Sequence, residues 1–397
     1  MSILRERIIK TLVKRRDTVL NGGVNCIPLP FTRFRKDWPG VEQGMYYLIT
    51  AGTKGGKSQL TNYIFIINTI LWTYTHPGII KPKIFYFPLE ETPESITLRF
   101  MAFLLNYLTK GSIFISPTDL KSTDERKPLP EDVLEVMNSK KFCDIMDYYE
   151  SVVTFYDDRN CTGVYKVMNN YAKINGTIHY KTIMVKEVDE LGITKEVERQ
   201  MFDYYVPNDP NEYVIFIVDH VSLLTQERGM DLRESICKLS EYCVILRNRY
   251  NYIPAIVQQQ STETTNLEAF RSNKIRPTVA GLADGKYTAR DCNMMIGLTN
   301  PHSFELPDYL GYDIKELKGR IRFLEIVLNR NGSANGICPL IFHGDINSFK
   351  EAPLPTDRAA MARIIESIKG LRDNKKFTNI NNLATALFNW TYNLITK

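Results

Sequence analysis

The sequence lacks any pair of cysteines with C-x-x-C spacing, although it contains seven cysteines in 397 residues. Their scattered positions argue against a zinc site and a disulfide framework, and they favour a reducing compartment. The sequence also has no apolar run of the roughly 18 to 20 residues that a membrane-spanning helix needs. We therefore expect a cytoplasmic protein without a membrane partner.

A strong charge of one sign, an internal repeat and a low-complexity tract are absent as well. The formal net charge is +5, which permits nucleic acid as a partner without requiring it. An apolar fraction of 44% and a charged fraction of 24% are typical of an ordinary soluble globular protein. The length suits one large α/β domain with additions, or two domains.

From Met45 onward, short apolar runs alternate with longer segments of helical periodicity. This pattern predicts an α/β fold with a mostly parallel twisted sheet flanked by helices. The predicted strands are 45–50, 83–87, 152–156, 213–218, 254–258, 294–298 and 321–328. The predicted helices are 57–74, 93–109, 131–149, 162–173 and 232–249.

Three segments lie outside this alternation. Residues 1–22 form a predicted basic amphipathic helix; a transit peptide is the alternative, and Glu6 counts against it. Residues 174–210 alternate apolar and polar residues around Asn-Gly and Leu-Gly turns, which indicates a β-hairpin insertion. Residues 351–397 form a predicted helical tail. The remaining predictions are a main domain at 23–350 and tail helices at 356–371 and 380–395, the second with Trp390 and Tyr392 available for docking.

The stretch AGTKGGKS, residues 51–58, follows a predicted strand and begins a predicted helix. It fits the phosphate-loop pattern G-x-x-x-x-G-K-[ST] except at its first position, where Ala51 replaces glycine. Alanine is tolerable at position 51 because the strand is leaving the sheet there and the loop does not yet wrap around the phosphates. A glycine-rich turn without a ligand is the alternative, and the strand-loop-helix context disfavours it.

In such a loop the backbone N–H groups and the helix N-terminus bind anions. Lys57 would neutralise the β- and γ-phosphates of ATP, and the Ser58 hydroxyl would ligate Mg²⁺. The candidate nucleotide-binding residues are Thr53, Lys54, Gly55, Gly56, Lys57, Ser58 and Gln59.

Two acidic residues at strand ends complete a candidate hydrolytic site. The apolar run NEYVIFIVD ends at Asp219, whose carboxylate would hold Mg²⁺ together with Ser58. The strand KIFYFPLEE places Glu90 just past its end, where a glutamate can orient the attacking water. Glu91 is the alternative; we expect it to be a solvated residue at the start of a helix.

These segments together resemble the motor domain of DnaB-type replicative helicases, within the RecA-like P-loop ATPases. The resemblance runs over about residues 23–350 and includes FPLEETPESITLRFMA, FYDDRNCTGVYKVMNNYAK and VIFIVDHVSLL, in which His220 stands where the family usually has tyrosine. The segment IPAIVQQQS resembles the strand whose glutamine senses the γ-phosphate. In register that glutamine is Gln260, and Gln258 and Gln259 are competing candidates.

The segment IRPTVAGLADGKYTARD resembles the family's loop that lines the central channel of the ring and holds single-stranded DNA. Ala283 replaces the usual arginine, and Lys286 and Tyr287 can supply phosphate charge and a stacking face. An ordinary surface turn is the alternative. The matching DNA-binding candidates are Asp284, Gly285, Lys286 and Tyr287.

The segment FLEIVLNRNGSANG resembles the family's K-x-R-N-G motif, in which the arginine acts as a finger on the ATP of the neighbouring subunit. Arg330 matches that arginine, whereas Leu328 replaces the lysine. A nearby cation, Arg320 or Arg322, is a candidate substitute for the lysine. A finger supplied in trans contributes about 10³ to 10⁵ in rate. A cap on a hairpin turn is the alternative role of Arg330.

The resemblance implies an ATP- and Mg²⁺-dependent DNA helicase, a hexameric ring that moves 5′ to 3′ on single-stranded DNA and unwinds forked duplex. A primase and a helicase loader are the further partners that it implies. The sequence starts at the linker helix, so we expect a minimal motor, phage-encoded or bacterial, in the bacterial cytoplasm. The alternative is a RecA- or RadA-like DNA-dependent ATPase that acts in recombination without processive unwinding.

Overall fold

A computed structural model describes residues 3–188, 194–261 and 275–373, and its largest element is a nine-stranded sheet. The strands are β1 (Ile27–Pro28), β2 (Gly40–Val41), β3 (Tyr47–Ala51), β4 (Lys81–Pro88), β5 (Val153–Phe155), β6 (Gly176–Val188), β7 (Thr194–Pro207), β8 (Glu212–Asp219), β9 (Ile253–Gln259), β10 (Met294–Thr299), β11 (Asp308–Tyr309), β12 (Tyr312–Asp313), β13 (Ile321–Asn329), β14 (Ile337–His343) and β15 (Ser348–Glu351). The helices are α1 (Ile3–Leu20), α2 (Lys57–Asn62), α3 (Thr69–Thr75), α4 (Pro93–Leu108), α5 (Pro117–Leu120), α6 (Glu131–Met137), α7 (Lys140–Val152), α8 (Cys161–Ile174), α9 (Leu232–Tyr250), α10 (Tyr287–Asp291), α11 (Ile314–Leu317) and α12 (Arg358–Asp373).

The central sheet is mostly parallel, as the sequence predicts. Its strand order is β15-β14-β13-β10-β3-β9-β8-β4-β5. Neighbouring strands from β10 to β5 are parallel, whereas β13, β14 and β15 extend one edge in antiparallel fashion. Each predicted strand has its counterpart in this sheet. The carboxyl ends of β3, β9, β8 and β4 therefore meet at one edge.

Strand β3 lies in the middle of the sheet and is buried on both faces. Tyr47 and Ile49 belong to the hydrophobic cluster on the face covered by α2, α3, α4 and α7. Leu48 belongs to the cluster on the opposite face, where Leu239 and Leu246 of α9 pack. The alternation follows from the two-residue period of a strand. Because β3 is packed on both faces, the end of the strand is held in place, and so is the start of the loop that leads to α2.

Two predicted helices differ in detail from the structure. The helix predicted at 57–74 contains a π-helical segment, Tyr63–Asn68, between α2 and α3. The helix predicted at 131–149 is two helices, α6 and α7. The prediction of a single helix is wrong because the Ser139 side chain accepts a hydrogen bond from the Phe142 N–H and begins a new helix there.

An antiparallel hairpin, β6 and β7, occupies the segment 174–210 where the sequence predicts one, and it forms a sheet separate from the central sheet. Its base packs on α9, since the Tyr205 ring meets the Tyr250 ring edge-on. The Arg7 guanidinium of α1 lies 4.9 Å from the centre of the Tyr204 ring. The hairpin and α1 therefore touch at this pair of side chains.

The first predicted tail helix corresponds to α12. Met361, Ile364 and Ile368 of α12 share a hydrophobic cluster with Ile314 and Phe323. The second tail helix, predicted at 380–395 with Trp390 and Tyr392, lies outside the described residues, and the domain boundaries stay predictions. Among the residues that the structure describes, no helix combines the length and apolarity needed to cross a membrane.

Candidate nucleotide site and basic groove

The phosphate loop connects β3 to α2 at the carboxyl edge of the sheet. Ala51 is the last residue of β3, and a Cβ atom on Gly55 would lie 2.8 Å from the Ala51 methyl carbon. Gly56 precedes α2 with a φ of 99°, which L side chains rarely adopt. The loop therefore folds back tightly on the strand end, and glycine is required at Gly55 and Gly56 rather than at Ala51.

Asp219 is the acidic residue nearest to the start of α2. Its Oδ1 accepts a hydrogen bond of 3.1 Å from Ser58 Oγ, and its Oδ2 accepts one of 3.1 Å from the Tyr86 hydroxyl. Burial raises the pKa of Asp219 to about 6, against the opposing effects of Ser58, Lys57 and Tyr86. A cation bound to the free lone pairs of such a carboxylate would stabilise its buried negative charge.

Glu90 lies past the end of β4, the strand that pairs with β8. Its Oε2 is 4.0 Å from Lys57 Nζ and 3.5 Å from His220 Nε2. The side chain of Glu91 instead forms a two-pronged ion pair with Arg99, at 2.5 and 2.7 Å. Glu91 is therefore not the solvated residue that the sequence indicates, and the pairing leaves Glu90 as the carboxylate that faces the phosphate loop.

The first of three consecutive glutamines, Gln258, is buried, and it binds the loop that carries the DNA-binding candidates. Its amide nitrogen donates to the backbone carbonyl oxygens of Ala283 and Gly285, the latter at 2.9 Å. The Thr288 hydroxyl donates to the Gln258 carbonyl oxygen. All of these contacts are to the candidate DNA loop and the helix α10 that follows it.

The other two consecutive glutamines, both candidates for the γ-phosphate sensor, differ in their contacts. Gln259 donates a hydrogen bond of 2.7 Å to Thr53 Oγ1 in the phosphate loop. Gln260 is buried and donates to Thr50 Oγ1 at 3.0 Å and to the Thr278 carbonyl oxygen at 3.2 Å. The Gln260 amide is therefore engaged by the protein interior, and its sensor role stays a prediction. The geometry favours Gln259.

A basic groove of about 530 Å³ lies beside α10. The DNA-binding candidates Lys286 and Tyr287 line it, together with Arg233 of α9 and Arg290 of α10. The guanidinium carbons of Arg233 and Arg290 lie 5.5 and 4.8 Å from the centre of the Tyr287 ring. Sequence reasoning missed both arginines, and Arg233 has no local signal because it is far from Tyr287 along the chain.

Asp284 faces away from this groove. It has a φ of 59°, and its Oδ2 accepts a hydrogen bond of 2.6 Å from Ser222 Oγ, just after β8. Gly285 has a φ of 125° and turns the chain back toward α10. Of the DNA-binding candidates, Asp284 therefore shapes the loop, whereas Gly285, Lys286 and Tyr287 line the groove.

Arg330 and the phosphate loop lie at opposite ends of the sheet, as measured along its strands. The preceding residue, Asn329, pairs with Met294 at the start of β10, so the length of β10, roughly 15 to 20 Å, separates Arg330 from the phosphate loop of its own chain. Its guanidinium donates to the carbonyl oxygens of Cys292, at 2.9 Å, and of Arg290. Arg330 therefore contacts the carboxyl end of α10.

The two arginines considered as substitutes for the lysine at Leu328 lie at the other end of β13. Arg322 Nε donates a hydrogen bond of 3.0 Å to the Gly55 carbonyl oxygen, and burial lowers the pKa of Arg322 to about 10. Arg320 pairs with Asp345 at 3.1 Å. Neither can replace a cation at Leu328, but Arg322 supports the phosphate loop from below, a role that the sequence did not reveal.

These residues fit a magnesium nucleotide. A hydroxyl and a carboxylate are the oxygen ligands that Mg²⁺ prefers when it is shared with phosphates and water. The loop that would surround the phosphates needs glycine at two positions, because a Cβ atom on Gly55 would lie 2.8 Å from the Gly52 carbonyl oxygen and Gly56 has a φ of 99°. No cluster of three or more His, Cys, Asp or Glu side chains able to hold a metal occurs among residues 3–188, 194–261 and 275–373.

No protein-family model and no curated protein matches the sequence. Solved structures do match. The ATPase domain of G40P superposes with a TM-score of 0.61 at 12% sequence identity, over 89% of this chain and 100% of that one. A DnaB-like replicative helicase, described with its interactions with primase, superposes with a TM-score of 0.57 at 13% identity, over 86% of this chain and 65% of that one.

The fold is that of a DnaB-like helicase ATPase domain. The sequence identities are low, so the likeness establishes the fold and leaves activity and partners to be argued from the residues. The chain spans less than two thirds of the DnaB-like replicative helicase that it matches. In the DnaB-like fold of this chain, the phosphate loop, Asp219 and Glu90 come together at one edge of the sheet, as the sequence predicts.

Proposed function

We propose that the protein is an ATP-dependent DNA helicase, a ring-shaped motor that moves along single-stranded DNA and separates forked duplex. The observation that carries the proposal is the convergence of Lys57, Ser58, Asp219 and Glu90 at one corner of the sheet. This set contains the parts that hydrolysis of a nucleoside triphosphate needs: a phosphate cation, an oxygen pair for Mg²⁺ and a carboxylate for water.

Each of these side chains has a separate task. Lys57 and the loop N–H groups bind the β- and γ-phosphates, and Ser58 and Asp219 hold Mg²⁺, which neutralises phosphate charge when it is bound. Glu90 orients the attacking water and accepts its proton. Gln259, through its contact with Thr53, is the γ-phosphate sensor in this proposal.

Coupling between ATP and DNA follows from adjacent residues at the end of β9. Gln259 contacts the phosphate loop through Thr53, and Gln258 contacts the backbone of the loop before α10. A change at the γ-phosphate therefore reaches Lys286 and Tyr287 through one strand end. The cations and the aromatic ring of the groove suit the sugar-phosphate backbone and bases of a single strand.

Arg330 completes the site of a neighbouring subunit in this proposal. Its position at the sheet edge opposite the phosphate loop is compatible with action in trans. A finger of this kind requires a head-to-tail contact between subunits, which closes into a ring or continues as a filament, and the hexameric ring is the form that the DnaB-like fold suggests. Movement from 5′ to 3′, a primase contact and a loader are further parts of the proposal that the fold suggests.

A forked-duplex strand-separation assay tests the proposal. We expect the wild-type protein to release the labelled strand with ATP and Mg²⁺, and the Lys57→Ala variant to release none. DNA-stimulated ATP hydrolysis without strand release would instead favour the RecA- or RadA-like alternative, a DNA-dependent ATPase that acts in recombination. Native mass spectrometry of the same samples reports the ring size.

A further inference from the structure

His220 is the residue that follows the candidate magnesium ligand Asp219, and its ring contacts Glu90. Its Nε2 lies 3.5 Å from Glu90 Oε2. The side chain of His220 is 9% exposed, whereas that of Glu90 is 48% exposed. A buried ring with a fixed position therefore touches a carboxylate that is otherwise free to move into solvent.

The surroundings of the ring define its tautomer. Nδ1 of His220 is buried and has no hydrogen-bond partner among the described residues. A proton on Nδ1 would bury an unpaired N–H and turn the Nε2 lone pair toward the Glu90 carboxylate, and both arrangements are unfavourable. The proton therefore belongs on Nε2, the ring nitrogen that lies 3.5 Å from Glu90 Oε2, so a small shift of the exposed Glu90 side chain brings the two into hydrogen-bond distance.

The second neighbour of Glu90 is Lys57, which would pair with phosphates once a nucleotide binds. Lys57 Nζ lies 4.0 Å from the same oxygen of Glu90, but Lys57 is the cation that pairs with the β- and γ-phosphates. No comparable phosphate-binding role falls to the His220 ring in the proposed function. Of the two contacts, the one from His220 is the one that persists during hydrolysis.

The segment that carries His220 is anchored on both sides. Asp219 is held by Ser58 at 3.1 Å, and Ser222 Oγ donates to Asp284 at 2.6 Å. The imidazole therefore sits on backbone that is tied to the phosphate loop at one end and to the DNA-candidate loop at the other. Such anchoring keeps a positioning group within a few tenths of an ångström, which orientation of a base requires.

We propose that His220 is a positioning residue for Glu90: the neutral imidazole donates its Nε2 hydrogen to the carboxylate and keeps it directed at the water that attacks the γ-phosphate. The inference rests on the proposed function, because it needs an ATPase that uses Glu90. It assigns a role to the position at which the sequence departs from the tyrosine usual in DnaB-type helicases.

Steady-state ATP hydrolysis by His220→Phe and His220→Gln tests this role. Phenylalanine fills the space without a donor, whereas the glutamine amide supplies one. We expect kcat to fall about tenfold in His220→Phe, because a misdirected Glu90 loses part of a general base's contribution to the rate. KM for ATP should stay within about twofold of wild type. His220→Gln should recover most of kcat. Thermal unfolding and binding of a fluorescent ATP analogue confirm that both variants are folded.

The Glu90→Gln background separates positioning from a structural effect. If His220 acts through Glu90, His220→Phe should cause no further loss of kcat when Glu90 is already glutamine. An unchanged kcat in folded His220→Phe, equal losses in the phenylalanine and glutamine variants, or a full further loss in the Glu90→Gln background would each overturn the inference. Absence of ATP hydrolysis in the wild-type protein would instead overturn the proposed function.

Discussion

Ser58 and Asp219 are 161 residues apart in sequence, and the Ser58 hydroxyl donates a hydrogen bond of 3.1 Å to the Asp219 carboxylate. Ser58 follows β3 and Asp219 is the last residue of β8, and β9 lies between these two strands of the sheet. The contact therefore depends on the strand order rather than on local sequence. It gives Mg²⁺ two oxygen ligands beside the phosphate loop in the account proposed for this protein.

Replacement of Asp219 by asparagine should stabilise the nucleotide-free protein while it abolishes hydrolysis. The pKa of Asp219 is raised to about 6 from 3.8. Between these values the folded chain binds a proton that the unfolded chain releases, so stability falls as the pH rises through this window. At pH 7.5 the buried charge costs up to about 3 kcal/mol, which asparagine removes.

Thermal unfolding without nucleotide at pH 7.5 measures this effect. We expect a higher midpoint for Asp219→Asn and an unchanged midpoint for Asp144→Asn, a matched change at an exposed residue of α7. The same Asp219→Asn protein should hydrolyse no ATP. A lower midpoint for Asp219→Asn would show that its charge is already compensated in the free protein.

Mixing of two inactive variants should restore part of the ATPase activity. Lys57→Ala removes the phosphate cation, and Arg330→Ala removes the finger, which contributes about 10³ to 10⁵ in rate. If ATP lies between subunits, a mixed ring contains interfaces that pair an intact Lys57 with an intact Arg330. We therefore expect hydrolysis by the mixture to exceed the sum of the separate variants after subunit exchange.

Two outcomes limit that interpretation. Full activity of Arg330→Ala alone would mean that Arg330 serves only its own chain, where it holds the carbonyl oxygens of Cys292 and Arg290. An inactive mixture whose subunits have exchanged, as shown by mass labelling, would contradict action in trans.

Alanine at both Arg233 and Arg290 should weaken binding of single-stranded DNA and reduce its salt dependence. Each phosphate contact to a single strand contributes about 0.7 to the slope of log K against log salt concentration, so loss of two contacts should reduce the slope by about 1.4. Fluorescence anisotropy with a labelled oligothymidine measures both quantities. The control is Arg126→Ala, an arginine with a side chain that is 82% exposed. An unchanged slope would place the DNA elsewhere.

The buried His343 should make the protein sensitive to acid. Burial, together with the nearby charges of Arg320 and Lys350, lowers its pKa to about 3. Between pH 6.5 and about 3 the unfolded chain binds a proton that the folded chain excludes, so stability is lost as the pH falls, by up to about 1.4 kcal/mol per pH unit.

Urea unfolding at pH 7.5 and pH 5 measures this loss. We expect a smaller loss of unfolding free energy in His343→Gln than in wild type, because glutamine does not titrate. Identical losses in the two proteins would mean that His343 is protonated within the fold.

The sequence predicts the parallel part of the sheet because its inner strands, such as β3, β8 and β9, are mostly apolar runs that are buried on both faces. Strand β14 escapes prediction because Pro339 interrupts it, and the strand is recognisable only from its antiparallel pairing with β13. The break at Ser139 escapes for a different reason. A serine within a helical pattern is compatible with both a continuous helix and a new cap, and packing decides between them.

The candidate site divides in the same way. The phosphate loop is a contiguous motif, so its residues and the glycine requirement follow from the sequence. Arg233, Arg322 and the contact between His220 and Glu90 depend on which strands and helices are neighbours. Periodicity cannot assign three consecutive glutamines either, because side chains alternate between faces and only the neighbours show which one meets Thr53.

The most direct test of the account is the steady-state rate of ATP hydrolysis by the purified protein, measured with and without single-stranded DNA. We predict Mg²⁺-dependent hydrolysis that single-stranded DNA stimulates and that Lys57→Ala abolishes. No detectable hydrolysis by the folded wild-type protein, with or without DNA, would contradict the account.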